Sequence, residues 1–134
     1  MITNTDITIF NQFADRNLKK IVYVPHYIKE AWFHSSAKTA VEQGGLSAAS
    51  EYKLRIPFPQ DGWLPSNDFR DPAEPGDNWT VQEDDFFIIG KWEEGSVEGI
   101  EEIRKKFLGV SGIILNHSEN FFGSSPHIRI GGGD

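Results

Sequence analysis

Residues 79–92 read Trp-Thr-Val-Gln-Glu-Asp-Asp-Phe-Phe-Ile-Ile-Gly-Lys-Trp, and this stretch decides the fold class. Phe86, Phe87, Ile88 and Ile89 form a four-residue apolar run bracketed by acids and by glycine. Aromatic and β-branched side chains suit a packed, pleated surface, and an unbroken apolar run leaves neither face for water. The run therefore predicts a central strand covered on both sides, in a closed or sandwiched sheet. Asp84 and Asp85 mark the turn that starts it, and Gly90 ends it.

Beyond Gly90, Val97, Ile100, Ile103 and Phe107 recur at near-helical spacing, while Glu98, Glu101, Glu102, Arg104, Lys105 and Lys106 take the other face. The spacing predicts one α-helix over about residues 96–107, roughly three turns long. Ser96 is its expected N-cap, acids precede bases as the helix dipole favours, and Gly109 lies just past the end. Residues 113–115 and 128–130 read as further strands joined by a turn at 123–126. Gly131, Gly132 and Gly133 have no side chains to pack, so they read as a frayed tail in preference to a strip where a partner's backbone comes close.

On the N-terminal side, residues 5–10 alternate, with Ile7 and Ile9 on one face, as in a half-buried strand. The polar residues 11–20 read as a turn or long hairpin loop. Residues 21–33 are β-branched and aromatic, but Pro25 lacks a ladder donor, so two short strands or one bulged edge strand with a bend is expected. Residues 35–50 are small and polar around Gly44 and Gly45 and read as mostly loop. The cleanest alternation follows at 51–56, where Tyr52, Leu54 and Ile56 oppose Lys53 and Arg55. That strand has one wet face, or one face turned to an acidic partner.

Residues 57–78 contain five prolines, two glycines and the aromatics Trp63 and Phe69. Structureless connections beyond about 12–15 residues are uncommon in compact domains, and a disordered linker is poor in aromatic groups. The loop therefore either packs on its own barrel or docks into a neighbour, with Trp63, Phe69 and Arg70 as the candidate partner-binding residues. Residues 1–134 are expected to form one mainly β domain, a small antiparallel β-barrel or sandwich of about six to eight strands with one helix and this proline-rich loop. Its expected core includes Ile7, Ile9, Leu54, Ile56, Phe87, Ile89, Ile103, Phe107 and Ile114.

The 134 residues carry 13 Lys and Arg against 20 Asp and Glu, a net charge of −7, which argues against a phosphate-tracking surface and against sequence-specific nucleic-acid binding. Cysteine is absent, which excludes disulfides and thiolate chemistry. No leader pattern and no apolar run near the roughly 20 residues of a membrane span is visible, so a cytosolic protein without membrane partners is expected. The histidines His26, His34, His117 and His127 form no pair at metal-ligand spacing. Asp68, Arg70 and Asp71 lie together in the loop, where a local salt bridge or turn is the simpler account than acid–base work. With no nucleophile elbow, phosphate loop or supported carboxylate pair, no catalytic, cofactor-binding or metal residues are assigned, and the chain is not expected to be an enzyme. Trp32, Trp63, Trp79 and Trp92 suggest one rival, a carbohydrate- or ligand-binding module that stacks sugars on tryptophan.

Three separated motifs carry a resemblance. Asp6-Ile7-Thr8-Ile9-Phe10-Asn11, Trp79-Thr80-Val81-Gln82 leading to Asp85 and Gly90, and the closing Phe122-Gly123-Ser124-Ser125-Pro126-His127-Ile128-Arg129-Ile130-Gly131-Gly132 resemble an uncharacterised family encoded by phages and prophages of Gram-positive bacteria, between capsid and tail genes. Glu83 and Asp84 stand before Asp85 where that family has a Gly-Asp pair ahead of the central strand. The resemblance implies a small virion component of the head-to-tail connection, similar to head-completion or stopper proteins, which are β-barrels in rings. It implies no catalytic residues. Other phage structural proteins and identical ring subunits are the partners implied, first in the bacterial cytoplasm and then in the virion.

Overall fold

A computed structural model describes residues 2–15, 17, 19–42, 45–66, 69 and 78–133, with the backbone alone at 15, 36–42 and 45–50. The elements are β1 (Thr5–Asp15), β2 (Lys20–Glu42), β3 (Gly45–Pro57), β4 (Phe86–Ile89), α1 (Ile100–Lys106), β5 (Ser111–Asn120) and β6 (His127–Gly133). All neighbouring strands are antiparallel, and they close into a six-stranded barrel in the order β1-β2-β3-β6-β5-β4.

Alternation builds the interior. Ile7, Ile9, Leu54, Ile56, Phe87, Ile114, Ile128 and Ile130 are all fully buried within one cluster, because successive residues of a strand face opposite sides. The outer face of β1 and β4 is covered as well: Phe10, Phe86 and Ile88 pack with Val97 and Ile103, flanked by Trp92, Ile100 and Phe107. Phe86–Ile89 is thus covered on both faces, as the unbroken run requires, and the expected Ile89 and Phe107 are half-buried members of the two clusters. The helix is shorter than its periodicity suggests. Val97 is held in an extended bridge to Tyr23, which stops residues 96–99 from winding; the N-cap is Gly99, not Ser96, and only seven residues, about two turns, are helical.

Other expectations give way to the ladders. The predicted 11–20 loop is strand on both sides of the turn, since Asn11 to Asp15 pair with Val24 to Lys20. The bend expected at Pro25 is absent because Pro25 sits within β2, opposite Phe10. Tyr23 turns both its N–H and its C=O outward to Val97, at 2.7 and 3.0 Å, so Pro25, two residues on, also faces its missing donor away from β1. The glycines 131–133 are not frayed. They lie in β6 between β3 and β5, where a Cβ on Gly132 would stand 2.6 Å from the Phe87 ring and one on Gly131 would stand 2.5 Å from Asn116 Oδ1. The close approach these glycines permit is that of the Phe87 ring and the Asn116 side chain of the same chain.

The stretch 35–50, expected as loop, forms the far half of a long hairpin. β3 has β6 on its other side only from Glu51 to Pro57, whereas the β2–β3 ladder continues for six more pairs, from Ala37↔Ser50 to Glu42↔Gly45. A two-stranded arm about 20 Å long at ~3.4 Å per residue therefore projects past the barrel.

Candidate functional site

The two N-terminal and central motifs meet in a buried polar knot. Asn11, at 2% exposure, donates from Nδ2 to the Thr80 carbonyl at 2.8 Å and to Asp85 Oδ2 at 3.0 Å, and its Oδ1 accepts from Thr80 N at 3.0 Å. Asp85 Oδ1 accepts from Gln12 N at 3.2 Å. Burial pushes the Asp85 carboxyl from 3.8 to about 6, although hydrogen bonds from Asn11, Gln82 and Gln12 pull it back down; the Asp84 charge adds to the rise. Asp84 itself holds φ 73°, the left-handed region that glycine enters freely and Asp tolerates. Beside the knot Trp79 is fully buried, donates from Nε1 to the Asp61 carbonyl at 2.9 Å and stacks on His26 at 5.1 Å. These bonds fasten β1 to the connection before β4, so the knot is structural; the buried Thr80 Oγ1 has no hydrogen-bond partner among the described residues.

The 57–78 connection begins docked on the barrel. Trp63, one of the candidate partner-binding residues, is half-buried: its ring meets Phe58 and Phe121 edge-on, each at 5.4 Å, while those two rings stack at 4.0 Å. Its backbone pairs beside Trp79, with Leu64 N to the Trp79 carbonyl and Trp79 N to the Gly62 carbonyl, both at 2.9 Å. Phe69 N bonds the Pro65 carbonyl at 3.1 Å. Arg70, with Asp68 and Asp71, lies outside the described residues.

The four tryptophans fall into three surroundings: Trp79 in the core with Trp63 packed against the same cluster, Trp92 edge-on to Phe10 at 5.6 Å beside the helix, and Trp32 on the outer side of β2. They share no stacking platform. The histidines are also apart, His26 on Trp79, His34 on Trp32, His117 Nδ1 2.8 Å from Glu83 Oε1, and His127 Nδ1 2.9 Å from the Ser125 carbonyl. Among the described residues no group of three or more His, Cys, Asp or Glu could hold a metal. No helix is long and apolar enough to cross a membrane.

Two further regions stand out among the described residues. One is the β2–β3 arm. The other is the outer wall of β2, β3 and β6, where register places Trp32 opposite Arg55, His34 opposite Lys53, and Arg55 opposite Arg129. The Arg55 guanidinium lies 4.9 Å from the Trp32 ring centroid. A groove of about 420 Å³ opens there, lined by Ile2, Trp32, Arg55, Ser125 and His127. Lys53 and Arg55 were legible as the wet side of an alternating strand; Trp32, His127 and Arg129 join them only through pairing that sequence does not print.

The sequence profile of a family of unknown function, DUF6751, matches residues 2–133. No curated protein and no solved structure matches the chain.

Proposed function

We propose that this chain, which belongs to the DUF6751 family, is an assembly subunit that works through protein–protein contacts and not through catalysis. The setting to which its motifs point is a ring at the head-to-tail junction of a phage or prophage virion, entered from the bacterial cytoplasm with other phage structural proteins as neighbours. One observation carries the reading: the two-stranded arm beyond Ser36 and Glu51. An isolated two-stranded ribbon is marginal at best in water, and its open edges invite pairing. Such a ribbon gains its stability from what it lies against, which suits a subunit whose neighbour completes it.

The proline-rich connection takes a different part. Its first segment is anchored on its own barrel through Trp63 and Trp79, so Phe69 and Arg70 are the proposed contact residues there. The test replaces residues 37–50 by a two-residue Asn-Gly turn in the full chain. Melting temperature of the isolated protein and yield of DNA-filled, tailed particles are then measured separately. Unchanged melting with a loss of particles is the expected result. Normal particles from the shortened protein would overturn the reading.

A further inference from the structure

Along the arm, one edge of β2 has no neighbouring strand, and the contacts at its base show which backbone groups lie on that edge. Asn4 N donates to the Ala31 carbonyl at 3.0 Å. The Asn4 side chain takes both backbone groups of Phe33, donating from Nδ2 to its carbonyl at 3.0 Å and accepting from its N–H at 2.9 Å. Ala31 and Phe33 thus turn toward β1. The β2–β3 ladder then runs one residue at a time from Trp32 to Glu42, so Ser35, Ala37, Thr39 and Val41 turn their N–H and C=O groups to the same side. The β1–β2 ladder ends at Thr5↔Ala31, and among the described residues no other strand pairs with this edge of the arm.

The even-numbered residues between them take the positions that exchange no hydrogen bonds across this edge, where opposed residues of an antiparallel pair stand closest. Two of these carry opposite charges, Lys38 and Glu42, four residues apart on one face of the strand. Within the hairpin, register sets Lys38 opposite Ala49 and Glu42 opposite Gly45, so neither has a charge directly across from it. When two copies of the edge run antiparallel with Ala40 opposite Ala40, Lys38 of each copy falls opposite Glu42 of the other. Centring on Lys38 would oppose that residue to itself, and centring on Thr39 or Val41 would set both charges opposite uncharged residues. The other edge of the arm, residues 45–50 of β3, reads Gly-Leu-Ser-Ala-Ala-Ser and carries no charge to choose a register.

We propose that this edge binds a second copy of the chain, the two β2 strands running antiparallel about Ala40 so that the two arms make one continuous sheet. This rests on the assembly reading, in which the arm is completed by a neighbour, and adds what occupies its edge before the ring forms. Thr39 of one copy and Val41 of the other exchange N–H and C=O bonds on either side of the axis, and the Lys38–Glu42 pairs flank them. The base of each arm, at Phe33, lies beyond the turn of the other, so the barrels stand at opposite ends of the joined arms. The contact is isologous and closes at two copies, so it pairs free subunits and does not itself build a ring. It covers an edge that would otherwise pair at random and adds strands to a ribbon that is marginal alone. Residues 38–42 of each copy make a contact far smaller than a stable interface, so the pair is weak and exchangeable.

Sedimentation velocity on the full chain over a concentration series tests this, with circular dichroism of each variant to show that the barrel is folded. Wild type should pass from monomer to dimer as concentration rises. Lys38→Glu and Glu42→Lys should each weaken the dimer by about tenfold or more, because each makes both cross-strand pairs repulsive. Mixed in equal amounts, the two variants should associate again, since every pair in the mixed dimer is once more of opposite sign. A chain carrying both substitutions should dimerise like wild type. Wild type that stays monomeric throughout, single variants that dimerise normally, or a mixture that stays monomeric overturns the proposal. So does a dimer that survives replacement of residues 37–50 by the Asn-Gly turn. Lost particle yield on shortening the arm, with wild type monomeric in solution, would leave the assembly reading standing and remove this inference alone. Normal particles from the shortened arm, with a dimer that follows the charges at 38 and 42, would do the reverse.

Discussion

The β1–β4 wall and the β3–β6 wall stand opposite each other in the closed order, with β2 between them on one side and β5 on the other, and share one interior, yet their outer faces have opposite characters. Outside β1 and β4 lie Phe10, Phe86 and Ile88, sealed by residues of the 92–107 segment. Outside β3 and β6 lie Lys53, Arg55 and Arg129, open to solvent. A barrel strand's inner residues report only that there is a barrel, whereas its outer residues report what covers it. The first wall buries apolar side chains on both of its faces, and the second on its inner face alone.

Substitutions should divide along that line. The largest effect is expected from Asn11→Ala, which strands the Thr80 N–H and C=O and removes a donor from the buried Asp85 carboxylate. With about 1–3 kcal/mol for each unsatisfied buried group, a loss on the order of 4 kcal/mol is expected in denaturant unfolding. A loss below about 1 kcal/mol would mean that the knot is not what fastens the covered wall.

Next is the pH dependence of the same knot. The folded Asp85 carboxyl, near 6, holds its proton more tightly than in the unfolded chain, near 3.8. Its contribution is therefore present below about pH 4, declines as pH rises through 6 and stays lost above, by on the order of 3 kcal/mol at most. Unfolding free energies from pH 4 to 7 should show this decline, and Asp85→Asn should remove it; equal slopes in both proteins would refute the assignment.

The smallest effect is on the open wall. Arg129→Ala should change stability by less than about 0.5 kcal/mol, or raise it slightly by relieving Arg55. Ile88→Ala, across the barrel, should cost about 2–4 kcal/mol for the buried volume lost under the helix. Equal losses at the two positions would erase the distinction between the walls.

Much of this contrast is legible in the sequence. The unbroken Phe86–Ile89 run predicts a strand covered twice, and the alternation of Tyr52, Leu54 and Ile56 with Lys53 and Arg55 predicts a strand covered once. What escapes is whatever depends on a partner distant in sequence. Asp85 reads as a turn residue because its amide partner, Asn11, is 74 positions away. Residues 35–50 read as loop because small polar residues carry no periodicity, and their pairing is imposed by the register of Phe33 with Leu54 at the arm's base. Gly131 to Gly133 read as a loose end because the Phe87 ring and Asn116 that require them come from β4 and β5. Trp63 reads either as packed on its own barrel or as docked into a neighbour, and its contacts with Phe58 and Phe121 become visible only in the folded chain. Of the candidate surfaces, only the Lys53 and Arg55 side of one strand is visible before closure.

Closure also imposes an order in time. The β1–β2, β2–β3 and β5–β6 ladders join neighbours in the chain, but Ile9 meets Phe87 and Leu54 meets Ile130 only after 78 and 76 positions. Bringing such distant residues together costs loop entropy before any contact rewards it, so the last steps of folding should fall in the slow range of all-β proteins, about milliseconds to seconds. Meanwhile Pro25 leaves a gap in the donors along the outward edge of β2, which hinders stray strands from pairing there. A ribosome that has just completed β3 has thus released a three-stranded sheet with two unpaired edges, one to be closed by β4 and the other by β6, neither of which yet exists.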